Sequence, residues 1–436
     1  MSSVGTAVRP GASARAWTMG TPAALLRSGT IVLAATLVWH ASNFAFNSVA
    51  ARLLGPGGYS ELAATVALLY VASPLLVSIQ TMTSRASTEL VVAGEEPAIR
   101  QELRSRLRRL ALVAVAVTLV AAVVSGPLAR LLHLGSSVAI VIVVGGLAIS
   151  LLTHCQRGAL QGTARFGRFA SSTTVEALAK VIGAALILTV VGRSVDGAVA
   201  AVPLAALVTL GANAVLLRVL PRGEAPSVRR SIRAPAQSSA TVVTFVLLAV
   251  LLSADVLAAK RFLPPAAAGL YAAVSLCGKT TFFATSAVSL FLFPLFTAKR
   301  ERGEDARALL AFACGGVAAC SLALSALYFA APGVVVGPLF GSGYRGAEPY
   351  LGRIAIAFGC YAVLYLTATY LVAQRSRAGV RVLVAVTACQ VLALLAAHGS
   401  VGAIVRVQVT VLAAGAAAMV VAALASSCVA PSGAGP

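Results

Sequence analysis

Long apolar runs recur along the whole chain and constrain its fold more than any other feature of the sequence. The run VAIVIVVGGLAISLL, from Val138 to Leu152, is one of them. A helix needs about 20 mainly apolar residues to cross the hydrocarbon of a bilayer. Only 11% of the 436 residues are charged, whereas a soluble domain carries about 25%. Because so few charges cannot cover a water-exposed surface, we predict an all-α polytopic membrane protein.

The apolar runs divide into about twelve predicted transmembrane helices. Short polar segments separate them, and the last two are divided only by the segment AAHGSVGA. Each run has the length and composition of a membrane-spanning helix. The predicted spans cover residues 30–52, 60–82, 110–131, 137–154, 171–191, 198–217, 239–259, 270–297, 308–331, 351–372, 380–397 and 402–425.

The basic residues alternate between the two sides of this twelve-span arrangement. If the N-terminus lies in the cytoplasm, the cytoplasmic segments hold 24 of the 34 Lys and Arg residues, and the opposite side holds eight. An excess of basic residues in short loops marks the cytoplasmic side of a membrane protein. The distribution therefore predicts that both termini are cytoplasmic. It also accounts for the net charge of +21 without nucleic-acid binding.

Two stretches of the sequence, 209 residues apart, share a pattern. AARLLGPGGYSELAA, from Ala50 to Ala64, joins predicted spans 1 and 2, and AKRFLPPAAAGLYAA, from Ala259 to Ala273, joins spans 7 and 8. Six spans separate the two stretches, and an even number preserves orientation. We therefore predict two parallel repeats related by an axis along the membrane normal. Two unrelated hairpins would explain the shared Pro residues, but they explain the shared Arg-x-Leu-x-Pro spacing less well.

The repeat divides the chain into two predicted six-helix lobes and three polar segments. The N-lobe covers residues 30–217 and the C-lobe covers residues 239–425. Residues 1–29 and 426–436 are predicted to be disordered tails, and 218–238 to be a basic cytoplasmic linker with five arginines.

A further basic stretch separates predicted spans 2 and 3. Its sequence RQELRSRLRRL, from Arg100 to Leu110, has the mixture of basic and apolar residues that is typical of amphipathic helices at membrane surfaces. We predict such a helix on the cytoplasmic surface.

The sequence carries no signature of catalysis, of a metal site or of a bound cofactor. No phosphate-binding P-loop occurs, and the histidines and cysteines lack metal-ligand spacing. The longest outer loop, residues 332–350, contains one acidic residue, Glu348. We therefore expect no catalytic residues, metal ligands or cofactor.

Lys279 and Asp255 are ionisable residues within predicted spans, where a charge is costly unless it has a partner or faces a cavity. Lys279 lies near the middle of span 8, and no acidic residue occurs three or four positions away. Either it pairs with Asp255 on another helix or it binds an anion in a water-filled space, and the two roles are compatible. Asp255 is interpreted either as a cation or proton coupling site or as a partner for Lys279, Lys260 or Arg261.

Polar residues also lie within spans 1 and 5. Glu176 and Lys180 are four positions apart, in the order that favours a helical salt bridge, and we predict a structural pair. His40, Asn43 and Asn47 share one face of span 1, where they serve either helix packing or substrate binding.

The two hairpin stretches and PLFGSGYRGAEPYL, from Pro338 to Leu351, resemble the bacterial polysaccharide biosynthesis (oligosaccharide flippase) family. That family belongs to the multidrug/oligosaccharidyl-lipid/polysaccharide (MOP) exporter superfamily. Its hairpins often carry acidic residues where this chain has Gly57, Gly58, Ala266 and Ala267. The resemblance implies two lobes that move a lipid-linked glycan outward by alternating access.

The resemblance further implies a cationic cavity for a polyprenyl-diphosphate headgroup. Its candidate residues are Lys279, Arg52, Arg261 and Arg353. Energy for transport would come from a Na⁺ or H⁺ gradient or from the membrane potential, because the chain has no ATP-binding motif.

These features favour a flippase for lipid-linked oligosaccharides in the cytoplasmic membrane of a bacterium. We expect a monomer that works beside glycosyltransferases or a polymerase of the same pathway. A multidrug or small-molecule exporter of the same superfamily is the first alternative. A non-transporting membrane component or an enzyme of glycan assembly is the second.

Overall fold

The computed structural model describes residues 22–221 and 239–426. The predicted linker lies outside these residues except for its first four positions, and so do most of the two predicted tails. Within the described residues the protein is helical and has no strands.

Across residues 22–221 and 239–426 the fold has twelve α-helices, named α1 to α12 in chain order. Their bounds are α1 Pro22–Val92, α2 Ala98–Leu131, α3 Val138–Gly162, α4 Phe166–Leu186, α5 Val195–Leu216, α6 Ser239–Phe262, α7 Pro265–Glu301, α8 Arg307–Ala330, α9 Pro332–Phe340, α10 Leu351–Ala373, α11 Ala378–Ala396 and α12 Val401–Ser426. A π-helical turn, Ile187–Val191, continues α4, and short 3₁₀ segments follow α5 and α9.

The 71-residue helix α1 is two transmembrane arms joined at Gly55. Gly55 has φ 69° and ψ 176°, a conformation that glycine adopts without the steric cost a β-carbon would add. Tyr59 Oη donates a hydrogen bond of 3.4 Å to Asn47 Oδ1, so residues on the two sides of Gly55 are adjacent. The chain therefore reverses direction at this point. The end of the bundle that carries Gly55 is called the outer end, and the opposite end the inner end.

The structure confirms the predicted fold class. Ten helices of the described residues are long and apolar enough to cross a membrane. Because α1 folds into two arms and the 37-residue helix α7 is long enough for a further span, the described part of the chain accommodates the twelve predicted spans. The spans fall into an N-terminal set, α1 to α5, and a C-terminal set, α6 to α12, which are called the N-lobe and the C-lobe.

Each lobe has its own packing, and α1 connects them. In the N-lobe α3 packs on α1, α2 and α5, and in the C-lobe α10 packs on α7, α8 and α12. The N-lobe helix α1 also packs on α6 and α7. The centre of the C-lobe is therefore α10, most of whose residues are buried, and the lobes meet along α1, α6 and α7.

One local prediction is wrong. The basic stretch from Arg100 to Leu110 does not form a separate helix on the surface, because α2 runs without a break from Ala98 to Leu131. It is the inner extension of a transmembrane helix. Basic amphipathic composition does not distinguish the two cases, since both place arginines beside headgroups.

Candidate functional site

Lys180 lies at mid-depth in the N-lobe, where α4 faces the first arm of α1. Its ammonium group donates a hydrogen bond to Asn43 Oδ1. It also lies 5.5 Å from the ring centroids of Trp39 and Phe46, within the range of a cation–π interaction. Lys180 is half-buried, and among the described residues it forms no ion pair. Its charge is therefore held by an amide and two aromatic rings.

The asparagines of α1 also bond to their own helix. Asn43 Nδ2 donates to the Trp39 carbonyl at 3.0 Å, and Asn47 Nδ2 donates to the Asn43 carbonyl at 2.8 Å. Asn47 is buried and accepts a hydrogen bond from Tyr59, so the described hydrogen-bond partners of its side chain all lie on α1. Of these two asparagines, Asn43 is the one that bonds to a cationic group.

His40, on the same face of α1 as the two asparagines, contacts the C-lobe. Its ring stacks on that of Phe283 of α7, with centroids 4.5 Å apart. In the described part of the chain, His40 Nδ1 has no hydrogen-bond partner. The stack places an imidazole and an aromatic ring at mid-depth between the lobes.

Glu176 is bound to Arg157 and not to Lys180. Arg157 Nη2 lies 2.5 Å from Glu176 Oε2, and its other contacts are with Ser172, to whose hydroxyl and carbonyl it donates at 2.8 and 2.9 Å. The partners therefore differ from the predicted Glu176–Lys180 pair. Sequence reasoning missed Arg157 because it assigned this residue to a loop after residue 154, whereas α3 continues to Gly162.

Asp255 is the centre of a buried polar cluster in the C-lobe. Its Oδ2 accepts hydrogen bonds from Tyr271 Oη at 2.9 Å and from Ser275 Oγ at 2.6 Å. Its Oδ1 lies 3.6 Å from Lys279 Nζ. Tyr271, Ser275 and Lys279 are spaced four residues apart on α7, so they lie on one face of that helix. Asp255 on α6 is therefore bound by three successive turns of α7.

This cluster bears on the two interpretations of Lys279. Its side chain is 7% exposed, that of Asp255 is fully buried, and Lys279 Nζ also lies 5.6 Å from the ring centroid of Phe358. The structure therefore shows the interhelical ion pair. Anion binding by Lys279 would require this pair to open.

Two arginines at matching positions of the repeat contact opposite lobes at the outer end. Arg52 of the N-lobe donates to the Gly337 carbonyl of α9 at 3.3 Å. Arg261 of the C-lobe lies 3.3 Å from Nε2 of His133, just after α2. In each half the arginine precedes the hairpin proline by four residues, and its partner follows the third span of the other half. The internal repeat thus appears in the structure as a reciprocal pair of contacts.

An ion pair between the lobes lies beside these contacts. Lys260 Nζ of α6 is 3.7 Å from Glu61 Oε1 and 3.2 Å from Ser60 Oγ on the second arm of α1. The other carboxylate oxygen of Glu61 accepts from the Gly135 amide at 2.9 Å. Lys260 is 3% exposed, so the pair is closed to solvent on the lysine side. Sequence reasoning considered Lys260 only as a partner of Asp255.

Backbone contacts also join the lobes at the outer end; together with the Arg52, Arg261 and Lys260 contacts they are called the outer seal. Gly269 of α7 lies so close to Pro56 that a β-carbon would overlap the Pro56 carbonyl. Tyr344 Oη donates to the Ala51 carbonyl at 3.0 Å, and Ser48 Oγ donates to the Leu339 carbonyl at 2.5 Å. The two predicted hairpins therefore pack directly against each other.

The inner half of α1 is packed very differently from its outer half. Between Thr30 and Ala41, Ala35 is the only buried residue. From Ser42 to Ala51, by contrast, most residues are buried. The first arm of α1 is thus embedded at the outer end and largely exposed towards the inner end.

Arg353 stands apart from the other candidates. It lies in the first turn of α10 at the outer end and is exposed. Arg52, Arg261, Arg353 and Lys279 are therefore not brought together into one cationic cluster. Within the residues that the structure describes, no group of three or more His, Cys, Asp or Glu side chains is arranged to hold a metal ion.

Several solved transporter structures share this fold. An inward-facing multidrug resistance MATE family transporter of the MOP superfamily gives a TM-score of 0.73 at 13% identity, covering 91% of this chain and 96% of that chain. An outward-facing transporter of the same description gives 0.66 at 11% identity, covering 96% and 98%. The structural likeness shows a shared two-lobe helical fold, and at these low identities it shows the fold alone. Neither protein-family models nor curated proteins gave a match.

A third solved structure bears on pocket chemistry. It is a MOP superfamily transporter from Pyrococcus furiosus Vc1 (DSM3638), with a TM-score of 0.61 at 12% identity, covering 96% of this chain and 99% of that chain. Its description states that reversed polarity of the binding pocket suggests a different function. The neighbours thus belong to the superfamily named by the sequence resemblance, while the narrower flippase family stays a prediction.

Proposed function

We propose that this protein is a membrane transporter that works by alternating access between its two lobes. The observation that carries the proposal is the unequal packing of the first arm of α1, the helix along which the lobes meet. The hairpins seal its outer end, whereas the first arm of α1 is largely exposed towards the inner end. Parallel repeats that rock against each other would exchange the sealed and the open ends.

The outer seal is of a kind that can open. It consists of single hydrogen bonds, the Lys260–Glu61 ion pair and backbone contacts, and each polar contact contributes on the order of 1 kcal/mol, or up to about 3 kcal/mol where one partner is charged, to the net free energy. A ligand that binds one arrangement more tightly shifts the equilibrium by its difference in affinity. A substrate at mid-depth that binds one arrangement a few kcal/mol more tightly than the other would therefore change their populations.

We propose small organic molecules as the substrate class and export as the direction. Trp39, His40 and Phe283 provide aromatic surface at mid-depth, and such surface suits amphipathic ligands. His40 Nδ1 is buried and lacks a partner in the described part of the chain, so it would offer a polar contact where the lobes separate. Multidrug transporters with the same fold support this choice.

Transport of a lipid-linked oligosaccharide is the second candidate, and the charge of Lys180 favours it. Glu176 is bound by Arg157 and Asp255 by Lys279, so Lys180 leaves the described mid-depth residues with excess positive charge. A diphosphate headgroup would be attracted by that charge, whereas organic cations would be repelled. The Pyrococcus furiosus transporter is described as having a binding pocket of reversed polarity. The preference of this protein for cationic or anionic ligands is therefore the property to measure.

An ion gradient or the membrane potential is proposed as the energy source, and Asp255 as the coupling residue. A Na⁺ ion or a proton that binds the carboxylate would replace Lys279 as the partner of Oδ1. The protein is proposed to act as a monomer in a bacterial cytoplasmic membrane. If the substrate is a lipid-linked glycan, glycosyltransferases or a polymerase are the expected partners.

Trp39 makes the substrate class testable, because its ring is 5.5 Å from Lys180 Nζ. The chain has two tryptophans, so a Trp17→Phe variant leaves Trp39 as the only one. This variant, purified in detergent, would be titrated with a lipophilic cation, a lipophilic organic anion and a polyprenyl-diphosphate sugar. Proteoliposomes would then test transport of each compound that changes Trp39 fluorescence.

The outcomes separate the candidates. Transport of a small organic compound supports an exporter, whereas transbilayer movement of the lipid-linked sugar supports a flippase. Lys180→Gln should weaken anion binding about tenfold, the loss expected when one charge-assisted contact is removed, and Lys180→Arg is the matched control. No fluorescence response and no transport of any of the three classes would contradict the proposed function.

A further inference from the structure

A groove lies at the inner end of the N-lobe, between α2 and the end of α5. Arg100, Arg104 and Arg108 line it from α2, and Arg218 lines it from the segment after α5. The three arginines of α2 are spaced four residues apart, which places them on one face of the helix. We infer that this groove binds an anionic phospholipid of the inner leaflet, with the phosphate on Arg104 and Arg108.

Arg100 holds the groove in shape. Its guanidinium donates to the carbonyls of Leu217, Arg218 and Leu220 at 3.3, 2.8 and 2.8 Å. These bonds join the beginning of α2 to the end of α5. The two walls are therefore fixed relative to each other before any ligand binds, which lowers the entropic cost of binding.

Arg104 and Arg108 are the groups that remain available to a phosphate. Both are exposed, and neither has a hydrogen bond or ion pair with any described residue. Arg106, on another face of the same helix, differs because it pairs with Glu102 at 2.6 Å. Side chains four residues apart on a helix are neighbours, so one phosphate can accept from both guanidinium groups.

The apolar part of the groove identifies the ligand as a lipid. Leu107 and Ala111 of α2, Leu152 of α3 and Leu210 of α5 line it. Ala111 follows Arg104 and Arg108 along α2. Leu152 lies almost three turns from the inner end of α3. Leu210 lies between one and two turns from the inner end of α5. The apolar lining therefore continues from the level of the arginines towards the bilayer. The groove encloses about 460 Å³. The groove thus has basic groups at its inner end and apolar groups towards the bilayer, which matches the order of headgroup and chains in a phospholipid. Basic pockets between transmembrane helices on this side of a membrane recognise anionic lipids.

Native mass spectrometry of the full-length protein tests this inference directly. Dioleoyl phosphatidylglycerol would be titrated against dioleoyl phosphatidylcholine, which has the same chains and no net charge. The variant is Arg104→Gln/Arg108→Gln. The control, Arg109→Gln/Arg377→Gln, removes the same charge from exposed inner-end positions that do not line the groove.

The wild-type protein and the control should bind phosphatidylglycerol at least tenfold more tightly than phosphatidylcholine, and the groove variant should lose that preference. An equal loss in both variants would overturn the inference, because it would show a general charge effect. So would an unchanged preference in the groove variant. Inorganic phosphate is the third ligand. If it displaced phosphatidylglycerol when both are present at the same concentration, the apolar wall would contribute nothing to binding, and the assignment of the groove to a lipid would be overturned.

Thermal unfolding in the same detergent shows whether the variants are folded. Phosphatidylglycerol should raise the melting temperature of the wild-type protein and of the control, and it should not raise that of the groove variant. Because this inference depends only on the groove, it can fail while the proposed transport function holds, and the reverse is also true.

Discussion

Lys260 of the C-lobe and Glu61 of the N-lobe form an ion pair across the outer end of the molecule, with Nζ 3.7 Å from Oε1. Glu61 is also fixed by the Gly135 amide of its own lobe. The pair therefore joins two rigid parts of the structure, and it must break if the outer ends separate. Substitutions in this pair therefore test the equilibrium between the proposed inward-facing and outward-facing arrangements directly.

Replacing Lys260 with Gln should favour opening of the outer end. A partly buried pair contributes about 1 kcal/mol, which corresponds to roughly a fivefold change in the equilibrium. Spin labels at positions 130 and 345, both exposed at the outer end of opposite lobes, would report the change as a longer distance. The label sites require a background without the seven native cysteines.

The charge-reversed protein Lys260→Glu/Glu61→Lys is the control for this prediction. It retains an interlobe pair and should have a shorter label distance than either single reversal. Equal distances in the wild-type protein and in Lys260→Gln would show that the pair does not hold the outer end closed.

Substitution of Gly269 should prevent closure of the outer seal. A β-carbon at this position would overlap the Pro56 carbonyl, and backbone atoms of two packed helices cannot move aside cheaply. We expect Gly269→Ala to increase the same label distance and to reduce transport. Gly57→Ala is the matched control, because its β-carbon would meet Pro265 at an ordinary 3.9 Å. Similar behaviour of the two variants would contradict the close approach.

Removing the charge of Asp255 should destabilise the C-lobe. Asp255→Asn leaves the ammonium of Lys279 buried without a charged partner, and such a change costs about 3–5 kcal/mol. The double variant Asp255→Asn/Lys279→Met removes both charges and should recover most of the lost melting temperature. A double variant that is no more stable than Asp255→Asn would show that the ion pair is not the reason for the loss.

The same double variant tests ion coupling separately from stability. If Asp255 couples transport to an ion, the folded double variant should lose its dependence on a Na⁺ or H⁺ gradient in proteoliposomes. Full gradient dependence in this variant would exclude Asp255 as the coupling residue.

A double-mutant cycle distinguishes the partner that the structure gives Glu176 from the one that the sequence predicts. Arg157 is bound directly to the Glu176 carboxylate, whereas Lys180 is bound to Asn43. The coupling energy from melting curves should be about 2 kcal/mol for Arg157 with Glu176, as for a charge-assisted hydrogen bond, and much smaller for Lys180 with Glu176. The reverse order would support the predicted pair. The single variants Arg157→Met, Lys180→Met and Glu176→Gln complete the cycles.

The twelve spans and the parallel lobes were predictable from sequence for a simple reason. A bilayer requires about 20 apolar residues per helix and retains basic loops on one side, and both signals are local along the chain. The Arg52 and Arg261 hairpins could also be matched by inspection. Local signals failed between Arg100 and Leu110, where the same basic composition suits a surface helix or the end of a span.

Partnerships between helices were not predictable in this way. The Glu176–Lys180 spacing favours a pair on one helix, but α3 brings Arg157 to the same carboxylate. Lys260 and Glu61, separated by 199 residues, meet only because the two hairpins pack together.

The sequence by itself determined a helical membrane protein with two similar halves, since helix length, loop charge and internal repeats are properties of consecutive residues. Only the tertiary structure decided which charges neutralise each other, that the outer end is sealed and that Lys180 has an amide as its partner. The physical reason is that a buried charge is satisfied by whichever polar group the packed helices place within about 3–4 Å. That distance depends on helix rotation and lobe contact, which no local pattern encodes.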